Sequence, residues 1–164
     1  MGSELRGRWL LGETACRYRA DELNPEGLPM IAAEALVAGL DTPTLGELAG
    51  WPRTADPRDL RELFVQALGE ARIPIPDLAL ARRHALRRLA TRFLEGHLTP
   101  SDLARDDGET IETRTPQEHA FAALIPPCAC CTAYTLGLDQ QTWAAELRTA
   151  ALALTASPPI GPGC

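Results

Sequence analysis

The fold of this chain is decided by a pattern that residues 56–71 show in full, DPRDLRELFVQALGEA. Asp56 stands directly before Pro57, an arrangement typical of a helix start. The aspartate oxygen can accept an N–H group of the first turn, and proline suits the first helical position because it has no N–H to leave unbonded there. Apolar residues then recur every three or four positions, at Leu60, Leu63, Phe64, Ala67 and Leu68. This spacing predicts an amphipathic helix with one face on a core.

The same start signal occurs at five places in the chain. A capping residue precedes proline at Asn24-Pro25, Thr42-Pro43, Asp56-Pro57, Thr99-Pro100 and Thr115-Pro116. Residues 109–114 alternate in the manner of a strand, but they are few and charged, and we expect a loop there. The pattern therefore predicts an all-α fold, an irregular bundle of about six or seven helices.

Residues 25–38 differ from the other helical segments because their helix is apolar on nearly every side. A helix of this kind usually lies at the centre of a bundle. Glu34 is the one charge within residues 30–38. We predict that Glu34 is buried with Arg82 as its partner, since Arg82 falls in the apolar stripe of its own helix. The alternatives to this ion pair are a side chain that reaches solvent and a functional pocket around Glu34.

Residues 28–50, LPMIAAEALVAGLDTPTLGELAG, carry a resemblance to other proteins. This segment resembles one in small uncharacterised helical proteins of actinobacteria, over the first half of the chain at most. The resemblance implies helices and no particular activity. All sixteen basic residues are arginine, a composition that a high-GC bacterial genome favours.

Composition excludes several classes of function. The net charge of −6 argues against nucleic-acid binding and against a polybasic membrane anchor. No apolar run approaches the ~18 residues of a membrane span, and no signal-peptide core is present, so we expect a cytoplasmic protein. The motifs of serine hydrolases, nucleotide-binding loops and zinc proteases are absent, so we assign no catalytic residue and no cofactor.

Three of the five cysteines form a cluster. Cys128, Cys130 and Cys131 lie within four residues of one another. His119 precedes this cluster and belongs to the helix that begins at Thr115. Such thiols could hold zinc or copper(I), form a vicinal disulfide, or pack as small apolar side chains. The spacing does not match the paired cysteines of common zinc modules, and we predict no stoichiometric metal. The odd number of cysteines indicates free thiols in a reducing compartment.

The helix predicted over residues 77–96 carries the strongest local charge. Arg83 and Arg87 lie one turn apart, as do Arg88 and Arg92, so basic side chains flank the apolar stripe. This basic face could bind an acidic protein partner or a nucleic acid. Alternatively, the six acidic residues between 102 and 118 could fold back and neutralise it, which is the interpretation we favour.

These patterns define one helical domain over residues 1–156 and a flexible tail over residues 157–164, which is rich in proline and glycine. Since no catalytic motif assembles, we expect a non-enzymatic helical interaction or adaptor protein, with a protein partner or a second copy of itself. One alternative is a thiol-based metal or redox protein centred on Cys128, Cys130 and Cys131. The other is a small helical enzyme with a pocket around Glu34 or a histidine.

Overall fold

The computed structural model describes residues 2–104, 111–126, 136–158 and 160, and all regular structure within these ranges is helical. Helices account for 69% of the described residues, which confirms the all-α fold. Seven α-helices lie in this part of the chain: α1 Ser3–Arg19, α2 Leu28–Val37, α3 Pro43–Gly50, α4 Pro57–Glu70, α5 Leu78–Leu94, α6 Pro116–Ala122 and α7 Gln140–Ala156. Two short 3₁₀ helices span Pro25–Gly27 and Pro100–Leu103.

Three of the capping pairs begin α-helices, at Pro43, Pro57 and Pro116, as the sequence predicts. Pro25 and Pro100 begin 3₁₀ helices, and the α-helix predicted over residues 25–38 starts only at Leu28. The Asp56 side chain accepts the Arg58 N–H at 2.8 Å, and the Thr115 side chain accepts the Glu118 N–H at 3.2 Å. At Thr99 the direction is reversed, because its N–H and its hydroxyl both donate to the Asp102 carboxylate at 2.7 Å. These bonds satisfy first-turn groups that a helix cannot satisfy by itself.

The chain divides into two compact units, and the boundary between them falls within α5, after Ala81. The first unit holds α1 to α4, and the second holds the rest of α5 with α6 and α7. Each unit has an apolar core of its own.

Helix α2 is the centre of the first unit, since it contacts α1, α3 and α4. Its inner face is built from small side chains such as Ala32 and Ala35, which let the neighbouring helices approach closely. The core around it contains Leu11, Leu28, Leu45, Leu48, Leu60, Phe64 and Leu68.

The predicted burial of Glu34 is wrong, because its side chain is exposed. Met30, Glu34 and Val37 follow one another at helical spacing along a single face of α2, and all three are exposed. The other helices of the first unit cover the opposite side of α2, which carries Leu28, Ala32 and Ala35. A helix that carries apolar residues on nearly every side is therefore not buried on every side.

Gly7 allows α1 to lie against the end of α2. A Cβ atom at this position would be 3.0 Å from the Leu40 Cβ and 3.3 Å from the Ala35 carbonyl oxygen. Ser3 and Arg8 hold the same stretch of α1: the Ser3 hydroxyl donates to the Ala38 carbonyl at 2.8 Å, and Arg8 donates to the Ala71 carbonyl at 2.9 Å. The N-terminal half of α1 is thus bound at several points.

The second unit is built around Trp143 of α7, which is fully buried. Its indole N–H donates to the Leu124 carbonyl at 2.8 Å, so the one polar atom of the ring has a partner. Leu86, Ala90, Leu103, Phe121, Leu147, Ala151 and Leu154 complete this core.

The start of the predicted flexible tail is held by Arg87. Its guanidinium donates to the carbonyls of Leu154, Ser157 and Pro158 at distances between 2.5 and 2.8 Å. Ile160 is also buried. A cation at this position binds the free carbonyls of a helix C-terminus. Most of residues 159–164 lie outside the described residues, and the flexibility of the tail stays a prediction.

Candidate functional site

The basic face predicted on α5 is largely occupied by contacts within the chain. Arg83 donates through Nε and Nη2 to the carboxylate of Glu118, at distances between 2.9 and 3.1 Å. The side chains of Arg83 and Glu118 are 12% and 1% exposed, respectively. Glu118 also accepts the backbone N–H groups of Arg114, at 2.7 Å, and Thr115, at 3.2 Å.

Glu118 stays ionised in this setting. Burial by itself would raise the pKa of its carboxyl group, but the hydrogen bond from Arg83, the backbone N–H of Arg114 and the charge of Arg83 outweigh that effect and lower the pKa. The pair is therefore a buried, charge-assisted structural contact.

The other predicted members of the basic face lie in different environments. Arg87 binds the end of α7, Arg88 has a partner, and Arg92 is exposed. Arg82 is half-buried with a partner of its own. His84 of the same helix is buried. The residues of this face thus do not form a free basic surface.

The thiol cluster of Cys128, Cys130 and Cys131 lies outside the described residues, and its role and the absence of metal stay predictions. His119 is exposed on α6. Within the described ranges, no group of three metal-ligating side chains comes together. Cys16 is buried in α1 and is disulfide-bonded, so the expectation of free thiols is wrong at this position.

The feature that sequence reasoning missed is an exposed apolar surface on α1. Trp9 is 60% exposed and Leu5 is 59% exposed. They lie one turn apart and therefore on the same face of the helix, and we call these two residues the α1 patch. Leu10 and Leu11 follow Trp9 directly, and the sequence does not show which of the three faces the core.

The anchoring of α1 explains why the patch faces solvent. Gly7, Leu11 and Ala15 recur at helical spacing and are all buried in the first unit. Because the Gly7 side of the helix is in close contact with α2, Trp9 lies away from the core. A large aromatic side chain is thus held on a fixed helix with no partner surface among the described residues.

The class of this protein is defined by its fold, which is all-α and divides into two helical units. No family model, curated protein or solved structure matches it. Among the helices that the structure describes, none has the length and apolar character needed to cross a membrane.

Proposed function

We propose that this chain is a non-enzymatic helical interaction protein that pairs with a second copy of itself through the α1 patch. The observation that carries the proposal is the exposure of Trp9 on an anchored helix. Tryptophan is the residue type most enriched among side chains that dominate binding free energy at protein interfaces. Since α1 is already held by Ser3, Gly7 and Arg8, little conformational entropy would be lost when a partner covers the patch.

A second copy suits the patch because the patch can be self-complementary. If two α1 helices lie antiparallel about a two-fold axis between Leu5 and Trp9, each Leu5 meets the Trp9 of the other copy. One surface then supplies two equivalent apolar pairs, as in the isologous interfaces that are commonest in oligomers. The contact area of one helix face is small, so we expect a weak, concentration-dependent dimer.

The experiment is sedimentation equilibrium of the purified chain over a wide concentration range. Trp9→Ala should raise the dimer dissociation constant at least about tenfold, the effect of losing an aromatic interface residue. Leu152→Ala is the matched control, because Leu152 is 52% exposed on α7 and lies in the other unit. A chain that is monomeric at every concentration would refute the proposal, and so would a Trp9→Ala variant that pairs as well as the original.

The sequence left two alternatives to this function, an enzyme pocket and a thiol protein. An enzyme pocket around Glu34 loses support because that side chain is exposed. The thiol protein stays a prediction. A cytoplasmic location also stays a prediction, and the disulfide at Cys16 argues against the reducing compartment on which it rests.

A further inference from the structure

A groove of about 420 Å³ opens in the first unit near the C-terminal end of α1. Arg17 lines it from α1, and Arg53 lines it from the segment between α3 and α4. Arg17 lies two turns beyond Trp9, about 12 Å along the helix axis. The groove is therefore separate from the α1 patch.

The two arginines give the groove a positive charge that no ion pair with another described residue offsets. Neither guanidinium has a hydrogen bond or an ion pair with any other described residue, although Arg17 is half-buried. A guanidinium can bind a carboxylate through two parallel hydrogen bonds. In a chain whose net charge is −6, two unpaired arginines in one concave surface are suited to an anionic group.

The rest of the lining restricts the kind of anion. Leu23, Met30 and Ile31 supply apolar surface, and methionine adapts its shape to a bound side chain. Glu26 also lines the groove, so Arg17, Arg53 and Glu26 together leave one net positive charge, which a single carboxylate balances and a string of phosphates exceeds. The lining thus suits one carboxylate next to an aliphatic group better than a polyanion.

We infer that this groove binds a peptide segment of a partner protein in which an aspartate or glutamate stands beside an aliphatic side chain. Arg17 and Arg53 would bind the carboxylate, and Leu23, Met30 and Ile31 would contact the aliphatic side chain. A peptide is favoured over a small molecule because Arg53, Glu26 and Met30 are exposed, whereas small-molecule sites enclose most of their ligand.

The test is a titration of the ¹⁵N-labelled full chain, followed by NMR, with the synthetic peptide GSGELGSG. We expect shifts of the amide signals of residues 23–31 and 53, and weaker shifts with GSGQLGSG, which lacks the carboxylate. The double variant Arg17→Gln/Arg53→Gln should bind the first peptide at least about tenfold more weakly, since it loses charge-assisted hydrogen bonds. The control is Arg148→Gln, which removes an exposed charge from α7.

Three results would overturn the assignment. The first is equal binding of both peptides, and the second is unchanged binding by the double arginine variant. The third is an equally strong shift of the same signals by acetate, which would show a simple anion site. Repeating the titration with Trp9→Ala separates this site from self-association, because the groove should bind the peptide whether or not the chain pairs.

Discussion

Replacing Glu118 by Gln should destabilise the second unit by about 3 kcal/mol at neutral pH. The carboxylate accepts hydrogen bonds from Arg83 and from the backbone N–H groups of Arg114 and Thr115. Glutamine keeps the shape and one acceptor oxygen, but it removes the negative charge that faces a guanidinium only 12% exposed.

The magnitude follows from what the substitution leaves behind. Breaking a buried ion pair by removing one partner costs about 3–5 kcal/mol, because the remaining charge is buried without compensation. The lower end applies to Glu118→Gln, since the amide oxygen can still accept one of the backbone N–H groups that the carboxylate binds. In a double-mutant cycle with Arg83→Met, the coupling energy should exceed about 1 kcal/mol.

Urea unfolding followed by the fluorescence of Trp143 measures this loss in the unit where it occurs. Trp143 is fully buried, and its indole N–H donates to the carbonyl of Leu124. Leu124 lies just after α6, the helix that carries Glu118. Trp9→Phe and Trp51→Phe remove the other two tryptophans, so that only Trp143 reports. The free energies of unfolding of the wild type and the variant are compared only if they fall with urea concentration at the same slope.

Glu146→Gln is the matched control, because it makes the same chemical change at an exposed position of α7. A surface substitution of this kind should change the free energy of unfolding by less than about 0.5 kcal/mol. If Glu118→Gln has no larger effect than Glu146→Gln, the ion pair does not stabilise the fold and the reasoning is refuted.

Three further predictions concern pH, packing and thiols. The pKa of Glu118 is lower in the folded chain than its ordinary value of 4.5, so its contribution is complete above about pH 4.5 and is lost as the pH falls through the folded value. The stability difference between the wild type and Glu118→Gln should therefore shrink in acid, and a constant difference from pH 7 to pH 3 would contradict this. Gly7→Ala should lower the free energy of unfolding by about 1–3 kcal/mol, because its Cβ would be 3.0 Å from the Leu40 Cβ. The control is Gly46→Ala on α3, whose Cβ would meet nothing within 4 Å and which should raise the free energy of unfolding by up to about 1 kcal/mol. In the denatured, oxidised chain at most three of the five cysteines should react with Ellman's reagent, and all five should react after reduction, because Cys16 is in a disulfide.

The candidate surfaces differ in how far the sequence could predict them. Arg83 belongs to the basic face that the sequence indicates, and the favoured interpretation names Glu118 among the acidic residues that could neutralise it. The choice of Glu118 as the partner depends on a contact between residues 35 positions apart. The α1 patch and the arginine groove have no sequence signal, because each depends on which side of a helix its neighbours leave uncovered.

The sequence by itself determined that this protein is helical and where its capped helices begin. A capping bond such as that from Thr115 to Glu118 joins residues three positions apart, so local chemistry is sufficient to place it. Only the tertiary structure decided which apolar residues are buried: α2 has apolar residues on nearly every side, yet Met30 and Val37 are exposed, and Trp9 is exposed while Leu11 is not. Burial of a side chain depends on the elements that pack against it, and the approach of α1 to α2 is set at Gly7 by contacts with residues far along the chain.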